Sequence, residues 1–599
     1  MGFLAGIVLE NPPEGPWAGL RERFIKALGQ MEGLLPWKPH LIELEKALLA
    51  RAGFSTMWQG QKEIQSNGRV TVATGLQAKP LPATQNATEY ILNAAAGKAS
   101  LSPKSACSYF DYFSLASLGG QSEEVLLLTD PLGLSPIYWV RKGGFLLFSS
   151  RQTFLRLFLG ESCEPDLLAA MEYLVIGHPL GSKSLIRGVE LLDPGSMLRY
   201  GKGRLSVESY TSTALRPTQS ISLLRAADMV AEFLRAKVDS YFQLHEGTVA
   251  SFLSGGWDSR LLAALFKEAG KLKITFTTQQ QVRFQGQLIS EKAIAEEVAQ
   301  LLGVENRFVS PEYRSPRSRA RRAALLDYTT WFHDWAFSVT RELPMGRHLL
   351  ADGLLGDILL RGLYVSEDLE KSKEMGIDRT AELLSKLYLR GFNPYTRGLE
   401  RWKEVLGPEL TSGFASALRR EIRGELEKAP AFDPITMFLV RNRSRRGISP
   451  LPMLIFGSKG EVLLPFCDPQ FIALALSIPT GVRKDPGFYE ALLERVAPGL
   501  GKIVSTNTQE PSRLKPYLVN SVQDLAPTGK SGHNYEDLTR RAKEWVNDLV
   551  ERPPEVLIAF LQPEIQKAIL DKDMEALLKK RFFLDRIMIL ESFFRGEVG

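Results

Sequence analysis

Cysteine is scarce: Cys107, Cys163 and Cys467 are the only three in 599 residues. Thiols so few and so far apart build neither a disulfide framework nor a paired metal site, and they fit a reducing, cytoplasmic compartment. Histidine is nearly as rare, six with no HxxxH pair, so the helical zinc signature is missing. No apolar run reaches the roughly 20 residues that span a bilayer, and no membrane span is expected. The first residues, Phe3-Leu4-Ala5-Gly6-Ile7, have no basic flank and soon meet Asn11-Pro12-Pro13, which reads as a core strand and not as a signal peptide. One-signed charge is also lacking: a net +6 over this length does not imply nucleic acid. There is no internal repeat and no low-complexity tract. What is there, 44% hydrophobic and 24% charged residues, describes an ordinary globular chain too long for one core, so two or more domains are expected.

The first two hundred residues read as short strands broken by turns. Val125–Thr129 ends in Asp130-Pro131-Leu132-Gly133; Ile137–Val140 and Phe145–Phe148 flank the Lys142-Gly143-Gly144 turn as a hairpin. Asp193-Pro194-Gly195 and Gly201-Lys202-Gly203 punctuate another run. The pattern changes near Pro217, so the boundary is expected at Thr211–Thr218, giving domains of residues 1–212 and 213–599. Leu223–Phe242 has the spacing of a long amphipathic helix. Beyond it, strand signals at Val249–Leu253, Leu272–Thr277 and Arg307–Val309 alternate with helix signals at Arg260–Glu268 and Glu291–Leu302. Alternation of that kind predicts a parallel sheet with helices on its faces. From about Gly362 onward the spacing predicts mostly helix, strongest at Ala381–Leu389 and Leu578–Phe594.

The most informative segment is Leu253-Ser254-Gly255-Gly256-Trp257-Asp258-Ser259, between the Val249 strand and the helix that follows. A glycine-rich turn into a helix N-terminus presents bare backbone N–H groups and the positive end of a dipole to an anion. Gly255 and Gly256 let the chain approach phosphate, and Ser254 and Ser259 add hydroxyl donors. Asp258 alone would repel phosphate, so it implies a divalent cation between them. The Gly-Lys-Ser/Thr ending of a Walker A loop is missing. A second acidic turn, Ala351-Asp352-Gly353-Leu354-Leu355-Gly356-Asp357, also follows an apolar strand. Ligands of open α/β sheets collect at the carboxyl ends of strands, so Asp258 and Asp357 are expected to share a magnesium ion. Two arginine clusters stand out. Arg314, Arg317, Arg319, Arg321 and Arg322 are expected on a solvated loop or helix start; Arg441, Arg443, Arg445 and Arg446 suit either a polyphosphate or an acidic substrate. The Trp331-Phe332-His333-Asp334-Trp335 knot is expected to be core.

Ser254–Ser259 resembles the SGGxDS pyrophosphate loop of ATP pyrophosphatases that make acyl-adenylates. Together with Asp130–Tyr138, which is similar to a DxxGxxPLYY strand pair, Phe148-Ser149-Ser150, Leu185–Gly195, Gly353–Asp357 and Pro465-Phe466-Cys467-Asp468, it resembles the asparagine synthetase family over nearly the whole chain. The resemblance implies an N-terminal Ntn-hydrolase-like α-β-β-α sandwich, glutaminase-like, on a C-terminal adenylating parallel α/β domain with a helical C-terminal part. It implies ATP over Ser254–Ser259, with Leu253, Phe276 and Gly353 beside the nucleotide, and Mg2+ on Asp258 and Asp357.

The departures narrow the expectation. Glutamine-using members carry a cysteine after the initiator Met, whereas this chain has Gly2, so the first domain is expected to be inactive as a glutaminase. Where the family often places an acid/base Glu or Tyr stands Leu354, and the family's lysine run is replaced by Ile503-Val504-Ser505-Thr506-Asn507-Thr508. A peptide α-amine, with a pKa of about 7.7–8.0, needs less help losing a proton than ammonia does. The resemblance therefore points to the lasso peptide cyclases, which join a core peptide's N-terminal amine to an Asp or Glu side chain as a macrolactam. Thr506, Asn507 and Thr508 would orient the activated peptide, and the implied partners are a precursor peptide, a leader peptidase and a leader-binding protein. Two alternatives stay open: another amide-forming member, of β-lactam synthetase type or an ammonia-dependent amidotransferase, and an inert nucleotide-sensing protein.

Overall fold

A computed structural model describes residues 2–598 except 11–16, 36, 54–57, 59, 67, 82–85, 97–106, 120–123, 212–219, 279–281, 285–286, 311–314, 344–347, 392–395, 431, 507–510 and 519–534. The N-terminal part stacks two six-stranded antiparallel sheets. One runs in the order Glu190–Leu191, Tyr138–Lys142, Phe145–Ser149, Phe3–Leu9, Ala47–Ala52, His40–Leu44; the other Arg204–Ser209, Ser196–Gly201, Val125–Thr129, Phe110–Gly119, Arg69–Gln77, Glu63–Ser66. The central strands are buried on both faces, which is why they read as unbroken apolar runs and not as alternating ones. Along Phe3–Leu9 the period of two still shows. Leu4 joins Leu49, Val72, Leu127 and Phe148 between the sheets. Phe3, on the opposite face, meets the ring of Phe154, which in turn meets Phe24 of the outer helix Trp17–Glu32. The helix Ala87–Ala95 covers the second sheet through Tyr90 and Ile91. The layering is α-β-β-α, as expected.

The C-terminal sheet is wholly parallel, in the order Glu305–Phe308, Leu272–Thr277, Val249–Phe252, His348–Ala351, Gly460–Leu463. Four of these were legible; Gly460–Leu463 was missed, because a four-residue strand after helical turns offers no periodicity. The order reverses between Val249–Phe252 and His348–Ala351. Such a switch point leaves a crevice at the strands' carboxyl ends, because the connections on either side leave in opposite directions. Most of the remainder is helical, though the run expected at Leu578–Phe594 is broken at Lys580 into Met574–Lys579 and Arg581–Phe594. Among the described residues no helix is long and apolar enough to cross a membrane.

The two sheet systems are bolted together by buried charge. Lys237, on the Leu223–Phe242 helix, reaches Asp111 of the second sheet at 2.5 Å and Asp468 at 2.9 Å. Most of the expected boundary segment lies outside the described residues.

Candidate functional site

The switch-point crevice is a cavity of about 400 Å³. Leu253, Ser254, Gly256, Asp258, Ser259, Phe276, Gly353, Asp357 and Thr506 all line it, so the structure brings together nearly every residue singled out in the sequence. Gly255 does not line it, and Asn507 and Thr508 lie outside the described residues.

The two acidic loops close on each other at Gly356. A Cβ there would stand 2.8 Å from Asp258 Oδ1, so only glycine lets the second loop come this near. The residue before it, Leu355, is held at φ +78°, a left-handed conformation that costs a branched side chain of order 1 kcal/mol. Asp258 Oδ1 accepts a hydrogen bond from the Tyr489 hydroxyl at 2.6 Å, and Arg361 lies 3.4 Å from Oδ2. Burial raises the Asp258 pKa; Arg361 opposes the shift and the charge of Asp357 adds to it. Asp357 in turn has Arg443 at 3.4 Å. Among the described residues no three His, Cys, Asp or Glu side chains converge to hold a metal. Two carboxylates on one cavity nevertheless suit Mg2+, which commonly takes one or two from the protein and the rest from phosphate and water.

The glycine loop departs from expectation in one respect: its amides are not bare. Ser254 N–H donates to Ser259 Oγ at 3.0 Å, Gly256 N–H to Ser254 Oγ at 3.2 Å, and Gly255 N–H to Glu291 Oε1 at 2.9 Å. Buried backbone donors need partners, and the loop's own hydroxyls and Glu291 supply them. Burial pushes the Glu291 carboxyl up to about 7. On the other side, the Gly255 carbonyl accepts from Thr506 N–H at 2.9 Å and from Ser505 Oγ at 3.1 Å. Arg260, fully buried, ties the two segments through Gly255, Gly256, Ile503 and Val504 carbonyls at 2.8–3.2 Å. Thr506 is thereby fixed beside the loop.

Sequence reasoning missed Glu291, Arg361, Ser444 and Tyr489, since nothing local marks them, and it gave Asp352 of the second acidic turn no role of its own. An acid after a Ser N-cap, as at Glu291, reads simply as a helix-dipole partner. Asp352 lines the cavity; burial pushes its carboxyl up to about 6, and its Oδ1 accepts from Leu354 N–H at 2.9 Å. Leu354 is buried against the cavity.

The arginine clusters divide. Arg319 and Arg322 are buried and not solvated as expected: Arg319 pairs with Asp548 at 2.5 Å and stacks over Trp545, because the helix Pro316–Leu325 packs that face inward. Arg321 reaches the Gly33 carbonyl, and Arg314 lies outside the described residues. In the second cluster, Arg445 and Arg446 are spent on N-terminal carbonyls, those of Gly133, Leu192, Gly181 and Lys183. Arg441 faces Asp193 and Glu425, leaving Arg443 at the cavity. Of the aromatic knot, Trp331, Phe332 and His333 are buried as expected, while Trp335 lines the cavity.

At the N-terminus Gly2 is buried, and a Cβ there would lie 2.4 Å from Thr74 Cβ. No side chain fits that position without displacing Thr74.

Residues 81–211 match the glutamine amidotransferase domain family. Asparagine synthetase (glutamine-hydrolyzing) 1 of Bacillus subtilis (strain 168) is 28% identical over 189 residues, 31% of this chain and 28% of that protein. A putative glutamine-hydrolyzing asparagine synthetase of Mycobacterium tuberculosis (strain ATCC 25618 / H37Rv) is 27% identical over 209 residues, 32% of this chain and 30% of that protein. The chain therefore has family-level homology to asparagine synthetases, over less than a third of the length of either relative. Glutamine phosphoribosylpyrophosphate (PRPP) amidotransferase from B. subtilis, solved with ADP and GMP, overlays 62% of this chain and 77% of its own at 11% identity, with a TM-score of 0.21, too loose to carry an argument.

Proposed function

We propose that this chain is an ATP-dependent amide-forming ligase that activates a carboxylate as its adenylate and does not hydrolyse glutamine itself. One observation carries the reading: the two acidic loops meet at the sheet's switch point, with Asp258, Asp357, Ser254 and Ser259 on one cavity. Homology to asparagine synthetases supports amide chemistry in general. Against an inert nucleotide sensor stands the retention of both aspartates.

Ser254 and Ser259 would exchange their mutual hydrogen bond, 2.9 Å long, for phosphate oxygens, and the glycine loop would hold the departing pyrophosphate. Asp258 and Asp357 would hold a magnesium ion, which neutralises charge on the phosphate oxygens. Leu253 and Phe276 would flank the base. Leu354 and Trp335 would help keep water from the adenylate. Asp352 is the carboxyl in the cavity suited to take a proton from the incoming amine, its pKa of about 6 lying nearer neutrality than an ordinary carboxyl's.

Ammonia-dependent amidotransfer and β-lactam-type closure fall within this class. The narrower reading, macrolactam formation between a core peptide's N-terminus and an Asp or Glu side chain, is favoured by Gly2 and by apolar Leu354, which together suit an amine that loses its proton more readily than ammonia does. Thr506, Asn507 and Thr508 would then orient the peptide, and a leader peptidase and leader-binding protein would be its partners.

The test is carboxylate-dependent exchange of labelled pyrophosphate into ATP. Exchange with AMP formation supports adenylation; turnover to ADP and phosphate would sink it. For the narrower reading, an acetylated core peptide should still support exchange but lose no water. Ring closure by that blocked peptide would rule out the α-amine.

A further inference from the structure

One part of the cavity wall has no task in nucleotide binding. It comes from the π-helical segment Val440–Ile448, which directs Arg445 and Arg446 to carbonyls of the N-terminal part and leaves Arg443, Ser444 and Ile448 on the cavity with Trp335. Single π turns inside helical stretches recur at functional sites.

Ser444 is 1% exposed, and its hydroxyl has no hydrogen-bond partner among the described residues. A buried helical serine usually bonds the carbonyl four residues back, as Ser449 does to Arg445 O at 2.5 Å. Leaving such a group unpaired is destabilising, so the position is not explained by packing alone. Beside it, the Arg443 guanidinium stacks 4.6 Å over Tyr364 and faces Asp357, while its buried Nε also lacks a partner among the described residues. Two unspent donors stand next to two apolar side chains. Arg443 is thus fixed in place with donor capacity to spare, and a guanidinium suits the planar pair of oxygens on a carboxylate.

We propose that Arg443 and Ser444 form the subsite for the carboxylate-bearing substrate. The carboxylate accepts from Ser444 Oγ–H and from Arg443, and the methylene carbons behind it lie against Trp335 and Ile448. The substrate class is a side-chain carboxylate on a short aliphatic stem, the Asp or Glu of a peptide. This assignment rests on the adenylation reading only for what happens to the carboxylate afterwards, not for its binding.

The probe is N-acetyl-aspartic acid α-amide, with its asparagine counterpart as the neutral control, titrated by NMR into the full chain with and without magnesium and α,β-methylene-ATP. Ser444→Ala should weaken the aspartyl probe about tenfold, the loss of one hydrogen bond to a charged group, and leave nucleotide affinity within about twofold. Ser444→Thr should restore most of the affinity. Ser444→Ala should also raise Tm slightly, because an unpaired buried hydroxyl is removed, which a purely structural serine would not do. The subsite is overturned if the wild type does not prefer the aspartyl probe to the asparaginyl one, if Ser444→Ala binds it normally, or if the variant loses nucleotide instead. Failure of the nucleotide analogue to bind, with Ser444-dependent probe binding intact, would remove the adenylation reading and leave the subsite standing.

Discussion

Tyr489 donates its hydroxyl hydrogen to Asp258 Oδ1 at 2.6 Å, and its ring stacks on Trp257 at 5.2 Å. A residue of the Pro486–Val496 helix thus fixes the carboxylate that the glycine loop presents from more than two hundred residues earlier. The Asp258 carboxylate is held in one orientation from one side by that hydroxyl and from the other by Arg361. If Asp258 binds magnesium as proposed, a carboxylate held this way would lose little freedom on binding it.

Asp258→Asn and Asp357→Asn should each lower pyrophosphate exchange by well over tenfold, about 1.4 kcal/mol of barrier per decade, with circular dichroism unchanged. Both side chains stand at loop ends on a cavity, so the amide keeps the volume and loses the charge. Exchange within threefold of wild type for either variant would remove that residue from the metal site.

Gly2→Cys should not create a glutaminase. The new Cβ collides with Thr74, so the expected outcome is a loss of about 1–3 kcal/mol in stability and no glutamate release. Glutamate formed by this variant at a rate above the wild type would show that the pocket survives.

Asp352 can accept a proton only when ionised, so amide formation should show a rise as pH passes through about 6, distinct from the further rise as an α-amine loses its own proton at about 7.7–8.0. In Asp352→Asn the rise near 6 should vanish and the rate at high pH fall about a hundredfold, in the range of one lost general base, while pyrophosphate exchange changes little. A variant that keeps the wild-type pH profile would exclude the role.

Lys237→Met should cost about 3–5 kcal/mol in urea denaturation, because Asp111 and Asp468 are left buried without their cation. Burial already raises the Asp111 pKa, with Lys237 opposing the rise. The triple change of Lys237, Asp111 and Asp468 to apolar residues should recover much of the loss. A loss below about 1 kcal/mol for Lys237→Met would mean that the two parts are held together by other contacts.

The amino-acid sequence by itself determined the main strands and helices from Leu223 to Leu302, without the small pair Val282–Phe284 and Gln287–Ile289, and it determined the N-terminal hairpin and the two acidic loops, since each depends on hydrophobic period and glycine placement within about a dozen residues. It also marked position 2 as lacking a nucleophile. Tertiary structure alone decided that Gly460–Leu463 pairs beside His348–Ala351, that Glu291 and Arg260 spend the amide and carbonyl of Gly255, and that four neighbouring arginines serve three different surroundings. Those outcomes depend on which segments meet at the switch point, and a partner more than two hundred residues away, as Tyr489 is to Asp258, leaves no periodic trace in either stretch. Burial set the pKa of Asp352 and left the Ser444 hydroxyl unpaired, and burial is a property of the packed chain, not of the residue.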